Sequence, residues 1–498
     1  MDLFHNLIFG FGVALSLQNL LYCLIGVTVG TLIGVLPGIG PLGTIAILMP
    51  ITYGIAPVGA LIMLAGIYYG AQYGGSTTAI LVNLPGETSA VVTCIDGYQM
   101  ARQGRAGPAL AIAAIGSFFA GTVGTLLIAL FGPPLADVAL KFGSPEYFSL
   151  MLMGLVAAAV LAQGDMVKSL AMVVTGLLLG LVGSDVNTGV QRFSFGFPEL
   201  SDGIGFVVVA VGVFAIGEII TNLGDKEERR VFTATVMSLF PSKEDMKRSI
   251  GPILRGTGIG SFFGVLPGTG PAIASFASYM LEKKLAADPS RFGRGAIEGV
   301  AAPESANNAD AQCKFIPMLT LGLPASGVMA LMLGALTIQG IQPGPEVMTQ
   351  RPELFWGLIA SMWIGNLMLV VLNLPMIALW VKLLQVPYRL LFPAIMAFSA
   401  IGIYSVNNSS FEIYLTALFG LFGFICMKLG FPPAPLLLGY VLGPMMEENL
   451  RRSMLMSGGD PSVFVTRPIS LAFIVATALI LVVMILPAVR QRRLEIAD

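Results

Sequence analysis

Hydrophobic stretches of membrane-spanning length follow one another along most of this chain. Examples are residues 111–131, 148–162, 204–221, 354–381 and 469–487. A helix needs about 20 apolar residues to cross a bilayer, so the pattern predicts an all-α polytopic membrane protein with roughly ten to twelve transmembrane helices. We expect 111–131 and 354–381 to form long, uninterrupted spans.

One phrase occurs twice and breaks an apolar stretch each time. The copies are GTLIGVLPGIGP, residues 30–41, and GSFFGVLPGTGP, residues 260–271. Glycine and proline interrupt helices, and irregular backbone at membrane depth is tolerated only where it is buried in protein or lines a wet cavity. A pair of such interrupted segments in corresponding halves indicates the binding site of a transporter.

A small, polar segment follows each copy in the same order, at residues 69–87 and 302–327. We therefore predict two structural repeats. Repeat 1 covers residues 1–222, with broken hairpins 30–41 and 69–87. Repeat 2 covers residues 251–450, with broken hairpins 260–271 and 302–327. Residues 223–250 are expected to form a cytoplasmic linker, and residues 451–498 an extra C-terminal helix and a cytoplasmic tail.

Basic residues alternate between equivalent loops of the two halves. Loop 281–295 carries four Lys or Arg residues and its counterpart 50–59 carries none, whereas loop 96–107 carries Arg102 and Arg105 and its counterpart 340–353 only Arg351. Because Lys and Arg favour the cytoplasmic side, the alternation predicts inverted-topology repeats and an external N-terminus. Such repeats favour an elevator-like transporter.

Composition changes this picture little, but it excludes several functions. The chain is 55% hydrophobic and 11% charged, with a mean hydropathy of +0.84 and a net charge of −1. A soluble core or a nucleic-acid partner is therefore not expected. There is no GxxxxGK[ST] phosphate loop, and His5 is the only histidine, which excludes an HExxH metal site. Transport is thus expected to be driven by a gradient, with no cofactor other than bound Na⁺.

The free ends of the broken helices are the candidate binding groups. N–H groups at the start of a half-helix suit a carboxylate, and carbonyls at the end of the previous half-helix suit sodium. The predicted substrate-binding residues are Gly38, Ile39, Gly40, Ser76, Thr77, Asn83, Gly268, Thr269, Gly270, Asn307 and Asn308. The predicted cation-binding residues are Leu36, Pro37, Leu266 and Pro267. The alternative interpretation is packing alone, by kinks and hydrogen bonds between helices.

The ionisable residues near these segments have simpler interpretations. Glu87 and Asp96 are expected to cap helices or to form salt bridges. Lys314 and Asp310 are four residues apart and are expected to pair on a helix, although Lys314 would also suit an anion. Glu218 ends an apolar run and is interpreted as an interface residue.

Four motifs resemble the large membrane subunit of the tripartite tricarboxylate transporters, the TctA type. They are GVLPGIGP, YYGAQYGGSTTAILVNLPGE, DGYQMARQGRAGPAL and FGRGAIEGVAAPESANNA. The resemblance implies a multi-pass protein of the bacterial inner membrane that works with a small TctB-type membrane subunit and a periplasmic TctC-type solute-binding protein. It implies symport of citrate-like tricarboxylates or other small organic acids with a cation, usually sodium. The chain departs from the family pattern at Asp310, Gln312 and Lys314.

Three other functions stay open at this stage. An ion channel with re-entrant selectivity loops would share the paired breaks. An intramembrane hydrolase would use Ser326 in the turn 324–327, but His5 lies far away in sequence and the serine would lack its usual base. A docking scaffold for the binding protein would not need duplicated polar breaks. We therefore favour a transporter over an enzyme.

Overall fold

The chain forms a bundle of α-helices, as the hydrophobic pattern predicts. The computed structural model describes residues 3–36, 40–161, 165–185, 188–222, 239–267, 270–383 and 388–485. The helices of the first half are α1 Leu3–Ala14, α2 Leu17–Val35, α3 Pro41–Leu48, α4 Pro57–Val82, α5 Val91–Arg102, α6 Ala106–Ala139, α7 Ser144–Leu161, α8 Met166–Gly180, α9 Phe206–Ala210 and α10 Gly217–Asn222. A π-helical segment, Val211–Ile216, joins α9 to α10, and a short hairpin of strands β1 Gly183–Ser184 and β2 Gln191–Arg192 precedes them.

The second half is helical throughout its described residues except for the connecting turns. Its helices are α11 Lys243–Val265, α12 Pro271–Leu285, α13 Glu298–Cys313, α14 Phe315–Leu321, α15 Gly327–Ile338, α16 Glu346–Gln350, α17 Pro352–Asn373, α18 Ile377–Leu383, α19 Tyr388–Asn407, α20 Ser410–Lys428, α21 Pro433–Met456, α22 Val463–Thr466 and α23 Pro468–Ile485. The repeated phrase breaks the helices at matching positions, because α2 and α11 end at its valine and α3 and α12 begin at its last proline.

Rows of glycine hold the two central helix pairs together. α2 packs along α4, and α11 packs along α13. Glycines recur at every fourth position of α2 and of α11, and a Cβ on any of them would collide with a carbonyl group of the facing helix. These glycines are Gly26, Gly30 and Gly34, opposite Met63, Ile67 and Ala71, and Gly256, Gly260 and Gly264, opposite Ala302, Ala306 and Asp310. Small residues allow this close approach of helices in membranes. The register is constant along both rows, so the two pairs are built alike.

The helices of the two polar segments also end alike. Asn83 is the C-cap of α4 and Gly322 is the C-cap of α14, and both residues adopt the left-handed conformation, with φ of 59° and 66°. A Leu-Pro dipeptide follows each of them. A left-handed residue after the last turn is a common way to end a helix, and proline then prevents its continuation. The polar segments 69–87 and 302–327 therefore share one backbone design.

Contacts between the two halves come in matched pairs. α6 packs on α13 and α17 packs on α4; α5 contacts α12 and α15 contacts α3. Farther out, α8 packs on α21, and α20 packs on the π-helical segment. These six contacts thus form three matched pairs between the two halves.

Ion pairs gather at the two ends of the bundle. At one end Arg105 pairs with Asp245, and Glu298 accepts hydrogen bonds from Arg248 and Arg291. Burial alone would raise the pKa of Glu298, but the two guanidinium groups outweigh it and hold the pKa below its usual value. At the other end the pairs are Arg192–Glu447, Arg451–Asp185 and Arg467–Glu146. The bundle thus has two distinct polar ends.

The centre of the bundle is more polar than its surroundings. Almost every residue of α4, and all of α13 after Glu298, is buried, whereas α1, α20 and α23 expose large apolar side chains. Four described helices are long and apolar enough to cross a membrane, namely α2, α6, α17 and α20, and seven shorter apolar segments accompany them. The prediction of one uninterrupted span over 354–381 is wrong, because α17 ends at Asn373 and α18 begins at Ile377, with Pro375 between them.

Candidate functional site

At the first break, the carboxyl group of a protein side chain lies where the sequence predicts the carboxylate of a bound substrate. Gly40 caps the start of α3, and its N–H donates to the Glu218 Oε1 atom at 3.1 Å. Glu218 is half-buried and comes from α10, far away in sequence. Its position at the helix start shows that this N-terminus accepts a carboxyl group, in line with the preference of helix dipoles for acidic groups. The predicted residues Pro37, Gly38 and Ile39 lie outside the described residues.

The carbonyl end of the same break is partly engaged. The hydroxyl of Thr78 on α4 lies 3.2 Å from the carbonyl oxygen of Gly34 and 3.0 Å from that of Val35. Leu36 follows as the C-cap of α2, and its N–H donates back to the Leu32 and Ile33 carbonyls. Cation binding at Leu36 stays a prediction.

The second break differs from the first at the start of its second helix. Leu266 caps α11, and Pro267 follows it. Gly268 and Thr269 lie outside the described residues. Gly270 caps α12, and no described atom lies within 4 Å of where a Cβ on it would be. Among the described residues, the space beside Gly270 is therefore open, whereas Glu218 lies beside Gly40.

Polar side chains from both halves meet around α13, in a cluster that we call the polar centre. Glu304 accepts hydrogen bonds from Ser76 on α4 and Thr93 on α5. The amide of Asn307 donates to Glu87 Oε1 at 2.9 Å, and Ser89 donates to the same oxygen. The structure thus brings the predicted residues Ser76 and Asn307 together, although they are far apart in sequence.

The other predicted residues lie at varied distances from this centre. Asn308 donates to the Ser117 hydroxyl at 2.7 Å and to the Glu304 carbonyl at 3.0 Å. Thr77 is buried one residue after Ser76 and bonds back to the Tyr73 carbonyl. Asn83 is exposed at the end of α4, where its left-handed conformation ends the helix. Its binding role stays a prediction.

A small cavity adjoins the polar centre. It has a volume of about 10 Å³, which is the room that one water molecule needs. Its lining residues come from α4, α6 and the end of α17: Tyr73, Ser76, Thr77, Leu110, Ala113, Ala114, Ser117, Asn373 and Leu374.

Several buried polar atoms near the centre have no hydrogen-bond partner within the described part of the chain. Buried polar groups are nearly always paired with protein, water or ligand. Unpaired atoms in and around the polar centre are Gln72 Nε2, Tyr73 OH, Asn307 Oδ1, Asp310 Oδ1 and Asn373 Oδ1. Sequence reasoning did not single out Gln72, Tyr73 or Asn373. The polar residues within YGAQYGG could have pointed to Gln72 and Tyr73.

The ionisable residues divide into confirmed and corrected predictions. Lys314 donates to Asp310 as the four-residue spacing predicts, and both side chains are fully buried. Asp96 does not cap a helix end; it lies inside α5 and accepts hydrogen bonds from the N–H groups of Gly293, Gly295 and Ala296 at 2.8–2.9 Å. Glu87 neither caps a helix with its side chain nor forms an ion pair among the described residues.

A larger cavity lies at the end of the bundle where α6 and α21 finish. Its volume of about 290 Å³ approaches that of small-molecule sites. Glu346, Glu448 and Arg452 line it, and Arg452 pairs with Glu448 at 2.7 Å. Because acidic groups outnumber basic ones, the lining does not favour an organic anion. We assign no substrate there.

Apolar helices around a buried polar centre define a polytopic membrane protein. The chain belongs to the tripartite tricarboxylate transporter TctA family, whose sequence model matches residues 20–438. The family resemblance of the four motifs is thereby confirmed.

Two relatives from Agrobacterium vitis are similar over long segments. One is described as a 52.8 kDa protein in the TAR-I ttuC' 3' region; it is 60% identical over 493 residues, which is 99% of this chain and 98% of the relative. The other is described as a protein in the TAR-II ttuC' 3' region; it is 58% identical over 234 residues, which is 47% of this chain and 97% of the relative. No solved structure gives a significant match.

Proposed function

We propose that this protein is the large permease subunit of a binding-protein-dependent secondary transporter that imports tricarboxylates or other small organic acids. Its partners would be a TctB-type membrane subunit and a TctC-type periplasmic binding protein, in the bacterial inner membrane. Membership of the TctA family supports this function. The observation that carries the proposal is the polar centre beside two broken helices, since buried polar groups in membrane proteins mark substrate and ion pathways.

The substrate carboxylate would bind at the open N-terminus of α12. The Ser275 hydroxyl donates to the Pro303 carbonyl at 3.2 Å, and farther along α12 Tyr279 lies against Gly299. These contacts make α12 and α13 antiparallel, so the start of α12 points toward Asn307. Free N–H groups and the Asn307 amide would then face one anion.

The Glu218 carboxylate at α3 supports the same chemistry in the other half. The hydrogen bond from the Gly40 N–H to the Glu218 carboxyl group supports a carboxylate as the kind of group that this helix start would hold. In the transport cycle the substrate would compete with Glu218 for this position. The residues predicted around both helix starts would therefore form two related half-sites.

In this proposal, the protein consists of two inverted repeats and transports its substrate by an elevator-like movement. The matched contacts and the matching glycine rows support two equivalent units, 1–222 and 251–450, joined by the linker 223–250. The polar end that contains Arg105, Arg248 and Arg291 would face the cytoplasm under the positive-inside rule. A cation gradient, with sodium as the cation, would drive uptake.

Substitution Gly270→Val tests the substrate site. Gly270 has an extended backbone (φ −81°, ψ 154°) and open space beside it, so a valine at this position should not disturb the fold. The valine side chain would, however, shield the N–H groups of α12. Uptake of a labelled tricarboxylate by the reconstituted three-component complex should fall about tenfold or more, as expected when an ionic hydrogen bond worth about 1.5–3 kcal/mol is lost.

The control is Gly258→Val on α11, where a Cβ also meets no atom within 4 Å. Its uptake should stay close to that of the original chain. Full uptake by Gly270→Val would place the substrate elsewhere. Flux that does not saturate and does not need the binding protein would instead favour a channel.

A further inference from the structure

We infer that Glu87, Asn307, Ser89 and Gln72 form a sodium site beside the substrate position. The inference rests on the proposed function, because it names the place where the driving cation binds. It differs from the backbone carbonyl positions at Leu36 and Leu266 that the sequence predicts.

The site joins the two halves of the chain. Glu87 follows the Pro85–Gly86 turn after α4, and its Cγ and backbone N lie 3.0 and 3.5 Å from where a Cβ on Gly75 of that helix would be. The Asn307 amide reaches it from α13 at 2.9 Å, and the Ser89 hydroxyl reaches it from the next short helical turn. Glu87 itself is half-buried.

Two oxygen atoms compete for the hydroxyl proton of Ser89. The single hydroxyl proton of Ser89 faces two acceptors, Glu87 Oε1 and Gln72 Oε1, the latter at 3.3 Å. The proton can go to only one of them. Glu87 Oε1 also accepts from the Asn307 amide, so Gln72 Oε1 is the atom that loses its partner when Ser89 donates to Glu87. A buried oxygen without a donor costs free energy unless a cation occupies its lone pair.

A second observation points to the same place. Asn307 is 1% exposed, and its Oδ1 atom has no partner within the described residues, while the other end of the same amide bonds Glu87. Gln72 is fully buried, and its Oε1 atom depends on the Ser89 hydroxyl that also serves Glu87. Two buried amide oxygens beside one carboxylate are thus incompletely satisfied.

The ligand set suits a monovalent cation. Hard cations bind carboxylate, carbonyl and hydroxyl oxygens. The described residues contain no group of three or more His, Cys, Asp and Glu side chains able to hold a metal ion. One carboxylate with neutral oxygens can balance one positive charge, whereas a divalent ion would be under-compensated.

The charge of the polar centre explains why substrate binding would need this cation. Glu87, Glu304 and Asp310 contribute three carboxyl groups, against the single ammonium of Lys314. An organic anion at the start of α12 would be repelled by the carboxylates. A sodium ion on Glu87 would offset that repulsion, so each ligand would raise the affinity for the other.

The test is sodium binding to the purified full-length protein, measured as bound ²²Na⁺ and as thermal stabilisation by NaCl relative to choline chloride. The original chain should show saturable, sodium-specific stabilisation. Glu87→Gln should raise the half-saturating sodium concentration about tenfold or more, because charge count governs cation affinity in such sites. The control Glu353→Gln makes the same change on a more exposed carboxylate of α17 and should leave sodium binding unchanged.

Ser89→Ala removes only one neutral ligand and should weaken sodium binding severalfold, even if Glu87→Gln is poorly folded. Unaltered sodium affinity in both variants would overturn the site. So would a protein that responds to pH alone and never to sodium. Organic-acid uptake that persists in those cases would leave the proposed function standing, whereas sodium binding without any uptake would refute the function and keep the site.

Discussion

Gly260→Leu is expected to prevent the protein from folding. The Cβ of any residue at this position would lie 2.8 Å from the carbonyl carbon and the Cα of Ala306, which are backbone atoms that cannot move aside. Over-packing of a core costs about 1–3 kcal/mol where side chains can adjust. Here the whole α11–α13 pair would have to separate, so the cost should exceed that range. Size-exclusion chromatography of the detergent-solubilised protein should show loss of the monodisperse fraction.

Gly258→Leu is the matched control for this experiment. It lies on the same helix two residues earlier, and its Cβ would meet no atom within 4 Å. The control should be recovered at the level of the original chain. If both variants behave alike, the glycine row does not set the helix spacing.

Asp96→Ala is expected to destabilise the protein by about 3–5 kcal/mol, because a fully buried carboxylate and its hydrogen bonds are lost. Its Oδ1 atom holds three backbone N–H groups of the 293–296 turn, and its Oδ2 atom accepts from the Tyr279 hydroxyl at 2.9 Å. These groups lie in the other half of the chain, so the two halves should loosen together. Thermal unfolding in detergent would measure the change.

Asp202→Ala removes an exposed carboxylate at the opposite end of the bundle and should leave the melting temperature nearly unchanged. A melting temperature for Asp96→Ala that matches this control would mean that the 293–296 turn is held by other contacts.

The sequence predicted the local parts of this structure well. The repeated phrase marks the ends of α2 and α11 and the starts of α3 and α12, because glycine and proline act on the backbone where they stand. The Asp310–Lys314 pair was also predictable, since four-residue spacing fixes a contact within one helix.

Contacts between distant segments could not be predicted in this way. Nothing local to Glu218 indicates that it meets Gly40, and nothing local to Asp96 indicates the turn that it holds. The break at Pro375 was missed because strongly apolar residues surround it. Such features depend on how the halves pack, which hydrophobic periodicity does not encode.

The polarity of α13 has a consequence for how the protein is made. Its 16 residues include Glu298, Glu304, Asp310 and two adjacent asparagines, yet everything after Glu298 is buried in the bundle. An acidic residue at mid-membrane costs about 2.5–3.5 kcal/mol during insertion of an isolated helix. We therefore expect α13 to insert poorly on its own. The ribosome delivers α4, α5 and α6 first, and these helices can receive α13 as it emerges, so the order of synthesis itself becomes a requirement for assembly.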